Sequence, residues 1–247
     1  MDVVGSEADI LAQIRQLVGM LPSNNEDEAY TDCTDNLNRA CPDLANCAGD
    51  TGILLSQISD NGVVFETKRN YAKDMVTAFI RLNGATVGAV ANRSEIYGQD
   101  GTVEATFDGT LSAKGAKKAA DFVKFCDAFG IPVLTVTNVK GFKATKCSEK
   151  FMAKNVAELT YAFADATVPK VNVIVGQAYG SAYLAMNSKS IGADMVFAWP
   201  NAEIGMMDAK AAAKIMYADA DLATINEKAA EYATLQNNVT SAARRGY

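Results

Sequence analysis

Val171-Asn172-Val173-Ile174-Val175-Gly176-Gln177-Ala178-Tyr179-Gly180-Ser181-Ala182-Tyr183-Leu184-Ala185-Met186 is the stretch that decides how this chain folds. The run Val171 to Val175 reads as a buried strand, the glycines that follow as a turn, and the residues from Ser181 as a new helix. A helix start leaves backbone N–H groups without intrahelical partners. Small residues at 180 to 182 let a ligand oxygen reach those donors at the positive end of the macrodipole. The turn is therefore a candidate oxyanion-binding site. The same pattern also fits a tight strand-to-helix connection whose glycine serves only packing.

Working outward, helix and strand patterns alternate from Ser112 onward. A helix is expected over about 113 to 129, a strand from Pro132 to Thr137, a helix over about 150 to 165, and then the strand and helix just quoted. A strand at Met195 to Ala198 and a helix from Asp208 follow, and Leu222, Ile225, Ala229, Ala233 and Gln236 mark an outlying helix ending at Arg244-Arg245-Gly246. Such alternation specifies a layered α/β fold with mostly parallel strands. Upstream, alternating runs Asp74 to Leu82 and Ala85 to Ala91 flank Asn83-Gly84, the preferred type I′ turn, and predict a β-hairpin. Ser6-Glu7-Ala8-Asp9 resembles a capping box for a first helix running to about Met20, with Ile10, Leu11, Ile14, Leu17 and Val18 on one face. Residues 24 to 50 are polar and acidic and read as an extended connector. The chain thus divides into an N-terminal helix and connector (1–50) and a main domain with the hairpin and peripheral helices (51–247). No internal repeat of fixed period is evident.

Composition narrows the chemistry. The chain has 247 residues, 49% hydrophobic and 21% charged, enough for a substantial core. A net charge of −6 disfavours nucleic acid or an anionic membrane as the main partner. No apolar run approaches a membrane span, and Met1-Asp2-Val3-Val4-Gly5 lacks signal-peptide features, so a cytoplasmic location is expected. The five cysteines form no C-x-x-C pair, and there is no histidine, so neither structural zinc nor any other metal site is expected, and no disulfide framework. Cys126 falls on the apolar stripe Ala119, Phe122, Val123, Phe129 and reads as core, whereas Cys147 lies in a polar loop. Zero histidine also removes Ser-His-Asp and Cys-His catalysis. Backbone donors, carboxylates, lysines and a borrowed cofactor remain.

In layered α/β folds ligands sit beyond the carboxyl ends of strands. Two loops qualify: Asn138-Val139-Lys140-Gly141-Phe142 after one core strand and the Gly180 turn after the next. If those strands are neighbours, N–H groups of both loops can converge on one oxygen, the geometry an oxyanion hole needs.

Blocks along nearly the whole chain carry a family resemblance. They are Leu21-Pro22-Ser23-Asn24-Asn25; Tyr71-Ala72-Lys73 through Arg81-Leu82-Asn83-Gly84; Phe122 through Cys126-Asp127-Ala128-Phe129; Thr167-Val168-Pro169-Lys170; Ala178-Tyr179-Gly180-Ser181-Ala182-Tyr183; Gly192-Ala193-Asp194; and Ala198-Trp199-Pro200-Asn201-Ala202-Glu203-Ile204. In these the chain resembles the carboxyl-terminal domain of biotin-dependent acyl-CoA carboxyltransferases. That family includes the β subunits of propionyl-CoA and acetyl-CoA carboxylases and the carboxyltransferase subunits of decarboxylases and transcarboxylases. The resemblance implies a crotonase-like fold. It also implies carboxyl transfer between carboxybiotin, presented by a biotin carboxyl carrier protein, and a short-chain acyl-CoA. An amino-terminal carboxyltransferase domain or subunit holding CoA is then an expected partner, within a homo- or hetero-oligomer. Cofactor and substrate supply base and nucleophile, and the protein supplies positioning and oxyanion holes. By position, the backbone N–H groups of Gly141, Phe142, Ser181 and Ala182 are the biotin-side donors. Tyr179, Gly180, Tyr183 and Leu184 are the cofactor-binding candidates, Leu184 matching a position that shapes acyl-chain preference.

The chain departs from its relatives in places. They commonly have Gly-Gly-Ala where it has Gly180-Ser181-Ala182, and Val-Pro-Gly-Phe where it has Val139-Lys140-Gly141-Phe142. Backbone donors survive both changes. Residues 94 to 111 are longer than in many relatives. Two other readings stay open: a Ser-Lys peptidase with Ser181 as nucleophile, which needs no histidine, and a non-catalytic scaffold domain of a carboxylase or decarboxylase complex. Ser181 can also simply cap its helix. Met206, Met207, Ile215 and Met216 read as core in preference to a subunit interface. Tyr179 and Tyr183 read as pocket-lining in preference to packing, Trp199 as structural, and Arg244 with Arg245 as a solvated helix end.

Overall fold

The computed structural model describes residues 2–24, 26–98 and 100–247. Met1 of the N-terminal reading and Asn25 of the first family block lie outside them. Helix α1 (Glu7–Val18) starts at Ser6 with the expected capping box: Asp9 N–H donates to the Ser6 hydroxyl, and the Asp9 carboxylate accepts from Ser6 N–H. None of its residues is buried, and Leu11, Ile14 and Val18 are exposed. The connector bears a short 3₁₀ turn at Leu44–Ala48 and latches onto the hairpin, where Thr31 N–H donates to Gly84 O at 3.0 Å.

Helix α2 (Thr51–Ile58) and strand β1 (Val64–Thr67) precede the predicted hairpin of β2 (Met75–Leu82) and β3 (Ala85–Asn92). Its turn has φ 53° at Asn83 and 84° at Gly84, and the Asp60 carboxylate accepts both N–H groups. A small ribbon, β4 (Glu95–Tyr97) with β5 (Val103–Thr106), leads to α3 (Ala113–Ala128), β6 (Val133–Val139) and α4 (Lys146–Asp165). Helix α4 begins earlier than the periodicity predicts, because Thr145 caps it by accepting from Ser148 N–H.

Next come β7 (Lys170–Tyr179), α5 (Gly180–Leu184), β8 (Met195–Ala198), β9 (Glu203–Gly205), α6 (Ala209–Met216), α7 (Leu222–Tyr232) and α8 (Val239–Arg244). The main sheet runs β1-β2-β3-β6-β7-β8, with β9 also on β7, and every pairing from β3 to β9 is parallel.

The period-two alternation of β2 divides two cores. Met75 and Phe79 face α3, α4 and α5, while Val76, Ala78 and Ile80 face Leu54 and Leu55 of α2. Cys126 lies in the first core as read, and Trp199 packs against the second. Each fully buried Phe, Leu or Ile of these layers contributes about 1.5–3 kcal/mol.

Three expectations need correction. The strand does not end at Val175. Gly176 is extended strand within β7, a glycine because a Cβ there would lie 2.6 Å from Asn138 Oδ1, and β9 continues the ladder along Gln177 to Tyr179. The outlying helix is not continuous either. A π turn over Ala233–Asn237 breaks it, Asn237 points inward to Met207 O at 3.1 Å, and Asn238 caps α8. Finally, Met206, Ile215 and Met216 are not core but exposed, because helix α6 buries the alanine face Ala209, Ala212 and Ala213 instead.

Candidate active site

Two loops leave the carboxyl ends of β6 and β7, which are adjacent and parallel, with Val139 opposite Ala178. The condition set by the sequence is met: the chain turns of Gly141–Phe142 and Gly180–Ala182 start side by side.

The first loop is held by its neighbour in the chain fold. Lys140 N–H donates to Gly109 O at 3.0 Å, Leu111 N–H to Gly141 O at 2.8 Å, and Lys143 N–H to Leu111 O at 3.0 Å. Gly141 has φ 150°, a region that favours glycine, and Phe142 packs half-buried on the first core. Among the described residues, the N–H groups of Gly141 and Phe142 have no acceptor within the chain.

The second loop turns at Gly180, with φ 58°. A Cβ there would lie 2.9 Å from Met206 O, so only glycine fits. Helix α5 then runs only to Leu184 and has no side-chain cap. The Ser181 and Ala182 N–H groups belong to its first turn, where no intrahelical acceptor exists. Ala182 is buried and Ser181 is exposed. No lysine Nζ hydrogen-bonds to the Ser181 hydroxyl among the described residues. The buried Lys170 Nζ is held by Phe163 O and Ala166 O at the opposite end of β7.

A cavity of about 110 Å³ adjoins the second turn, lined by Gly180, Tyr183, Leu184, Met206, Arg245 and Tyr247. Of the cofactor candidates, Gly180, Tyr183 and Leu184 thus come together. Tyr179 lies beneath them, 1% exposed, its hydroxyl donating to Glu203 Oε2. Burial, and then the Glu203 contact, raise the Tyr179 phenol above its ordinary range, and burial does the same for Tyr183. Gly141 and Phe142 lie outside this cavity.

Behind both loops lies an asparagine network that sequence reasoning missed. Asn138 Oδ1 accepts from Gln177 N–H at 3.0 Å, and Asn138 N–H donates to Asn92 Oδ1 at 3.3 Å. Asn172 Nδ2 donates to Met186 O and Asn187 O at 3.1 and 3.0 Å, and Thr137 Oγ1 donates to Asn172 Oδ1 at 2.8 Å. Asn172 and Asn187 are fully buried. A polar residue inside an otherwise apolar strand, as at Asn172, was the available signal, since buried amides must find partners.

Residues 2–247 match the carboxyl transferase domain family. The chain is 39% identical over 248 residues to the methylmalonyl-CoA decarboxylase subunit alpha of Propionigenium modestum, covering 94% of this chain and 46% of that protein. It is 37% identical to the propionyl-CoA carboxylase beta chain of Roseobacter denitrificans, covering 98% and 48%. Among solved structures, transcarboxylase 12S superimposes with a TM-score of 0.85 at 35% identity over 95% of this chain and 46% of that one; it is a hexamer with hydrolysed methylmalonyl-coenzyme A bound. The chain spans about half the length of the curated relatives it matches. Its layered sheet is the crotonase-like fold that the resemblance implied. With family blocks, fold and relatives in agreement, the chain belongs to the carboxyl transferase domain family.

Proposed function

We propose that this chain supplies the biotin-side half of a biotin-dependent acyl-CoA carboxyltransferase, within residues 51–247, and acts with a CoA-binding amino-terminal domain or subunit. The observation that carries this reading is the pair of loops at the ends of β6 and β7, each with unpaired N–H groups, in a histidine-free chain of this family. Backbone donors suit a neutral or anionic ureido oxygen, and no titratable side chain is needed there. Biotin, when bound, supplies the carboxyl carrier and the base. The Gly141, Phe142, Ser181 and Ala182 N–H groups orient its ureido oxygen and stabilise negative charge developing on it, while Tyr183 and Leu184 shape the adjoining apolar wall. The acyl group is short-chain, and a biotin carboxyl carrier protein presents the cofactor. The exposed Met206, Ile215 and Met216 support burial of this edge against another subunit.

The test mixes the chain with a carboxyltransferase amino-terminal domain and follows decarboxylation of malonyl-CoA or methylmalonyl-CoA with free biotin. A rate that needs both pieces is expected, kept by Ser181→Gly and lost in Ser181→Pro, since proline is tolerated in a first helical turn but removes the N–H. A formed complex with no rate would favour the scaffold reading. Labelling of Ser181 by a fluorophosphonate would favour the peptidase.

A further inference from the structure

A mainly apolar cavity lies away from the two loops, under α1. It measures about 610 Å³, within the range of small-molecule sites, and is walled by Ile14 and Leu17 of α1 and by Phe65, Phe79, Phe122 and Phe125. Phe79 stands at the centre of this aromatic wall, its ring centroid 5.0 Å from Phe122 and 5.9 Å from Phe125. Thr67 and Thr77, also on the wall, satisfy each other at 2.8 Å and ask for no polar ligand.

One buried polar group on the wall is not satisfied in this way. Lys118 is 1% exposed, and its Nζ donates to Tyr71 O at 3.0 Å and Met75 O at 2.7 Å. An ammonium has three donors, so one N–H is left over. No carboxylate lies within 4.0 Å of this Nζ among the described residues. The acidic rim residue Asp121 is already held by Lys117 at 2.6 Å, and Asp2 and Lys68, of opposite charge, line the same cavity. A buried cation with no carboxylate in contact is costly, and burial lowers the Lys118 pKa to about 8, with the more distant Glu66 and Asp74 opposing that shift and Arg93 and Lys68 adding to it.

We propose that this cavity binds an aliphatic carboxylate, with its chain against the phenylalanines and its head group at Lys118 Nζ. The head group supplies the missing acceptor and a negative charge in direct contact. Aliphatic chemistry follows from the wall, which offers apolar surface and self-satisfied hydroxyls. The site is separate from the proposed carboxyl-transfer site and stands without it.

Calorimetric titration of the 247-residue chain with decanoate, and with n-decanol as the neutral counterpart, tests the assignment. One decanoate per chain is expected. Lys118→Met should weaken decanoate about tenfold, the loss of one charge-assisted hydrogen bond, and leave decanol within about twofold. Ile14→Trp, which fills the cavity from α1, should block both. The proposal is overturned if the folded wild-type chain takes up no decanoate, including the case in which sedimentation shows a second copy covering α1. It is equally overturned if Lys118→Met binds decanoate as the wild type does, or if Ile14→Trp binds both probes unchanged. Should Lys118→Met fail to fold, the Ile14→Trp result decides.

Discussion

Asn138 Oδ1 accepts the Gln177 N–H at 3.0 Å, crossing from β6 to β7 just below the point where the two strands release their loops. The pairing register shifts between Thr137 and Val139, and the side chain takes the place of the ladder bond that the shift removes. The relative height of the Gly141 and Gly180 turns therefore depends on this amide. Asn138→Ala is expected to destabilise by about 1–3 kcal/mol in urea unfolding, because Gln177 N–H loses its acceptor beside an emptied space. Asn138→Asp, which keeps the acceptor, should recover part of the carboxyl-transfer rate in the two-piece assay; no recovery would separate this residue from the site.

Both turn glycines should be sensitive to substitution. Gly180→Ala combines φ 58° with a contact on Met206 O and is expected to lose about 1–3 kcal/mol. Gly141→Ala meets no atom within 4 Å, but φ 150° is a backbone region that alanine rarely adopts, so a loss of about 1–3 kcal/mol is expected from the backbone alone. Chemical denaturation of both variants checks this, and a neutral Gly141→Ala would contradict the assigned backbone geometry.

Arg93 is buried between two carboxylates, its Nε 3.1 Å from Asp50 Oδ1 and its Nη1 3.4 Å from Glu66 Oε1. Asp50 also accepts from Gly52 and Tyr97 N–H, tying α2 to the β4–β5 ribbon. Arg93→Ala leaves the buried Asp50 without its cation and Glu66 with only the longer contact to Arg69 at 3.7 Å, and should cost about 3–5 kcal/mol. Lys228→Ala breaks an exposed pair with Glu231 and should change stability by less than about 1 kcal/mol. Urea midpoints of the two variants make the comparison.

Lys118 gives stability a pH dependence of definite sign. Its folded pKa of about 8 is below the unfolded 10.5, so between those values the unfolded chain binds more protons and stability rises with pH. Below about pH 8 both states are protonated and the full penalty applies, up to about 3 kcal/mol at 1.36 kcal/mol per unit. Unfolding free energies from pH 7 to 10 should climb in the wild type, and Lys118→Met should remove that part of the climb. Identical slopes would show that the buried amine is solvated.

Thiol reactivity should follow burial. Cys147 is exposed, whereas Cys126 is fully buried, and burial pushes its thiol well above the ordinary cysteine range. A brief pulse of a disulfide reagent, read by mass spectrometry, should mark Cys147 and leave Cys126 unmarked until the chain is unfolded.

The sequence disclosed most where a local pattern has one physical solution. Asn83-Gly84 between alternating runs admits little but a hairpin, and the helix–strand alternation from Ser112 predicted the parallel sheet. It disclosed less where a distant residue decides. Gly176 reads as a turn until Asn138 is seen occupying the space beside it, and Met206, Ile215 and Met216 read as core until α6 turns its alanines inward. Short elements such as α2, β1 and β9 carry too few residues for their periodicity to stand out. For the candidate site, the two loops were legible and their depth was not: Tyr179 reads as a wall residue, and the structure buries it with its hydroxyl on Glu203.

Helix α5 has no side-chain cap, and Ser181 at its start is exposed and, among the described residues, without a lysine partner. The proposed site, made of peptide N–H groups, would offer nothing for an electrophilic inhibitor to alkylate and nothing for a chelator to strip. It would also be indifferent to which small side chain stands at position 181. Drugs or mutations would reach such chemistry only by changing the shape of the turn, and the groups under that pressure would be the glycine at 180 and the carbonyl of Met206 behind it.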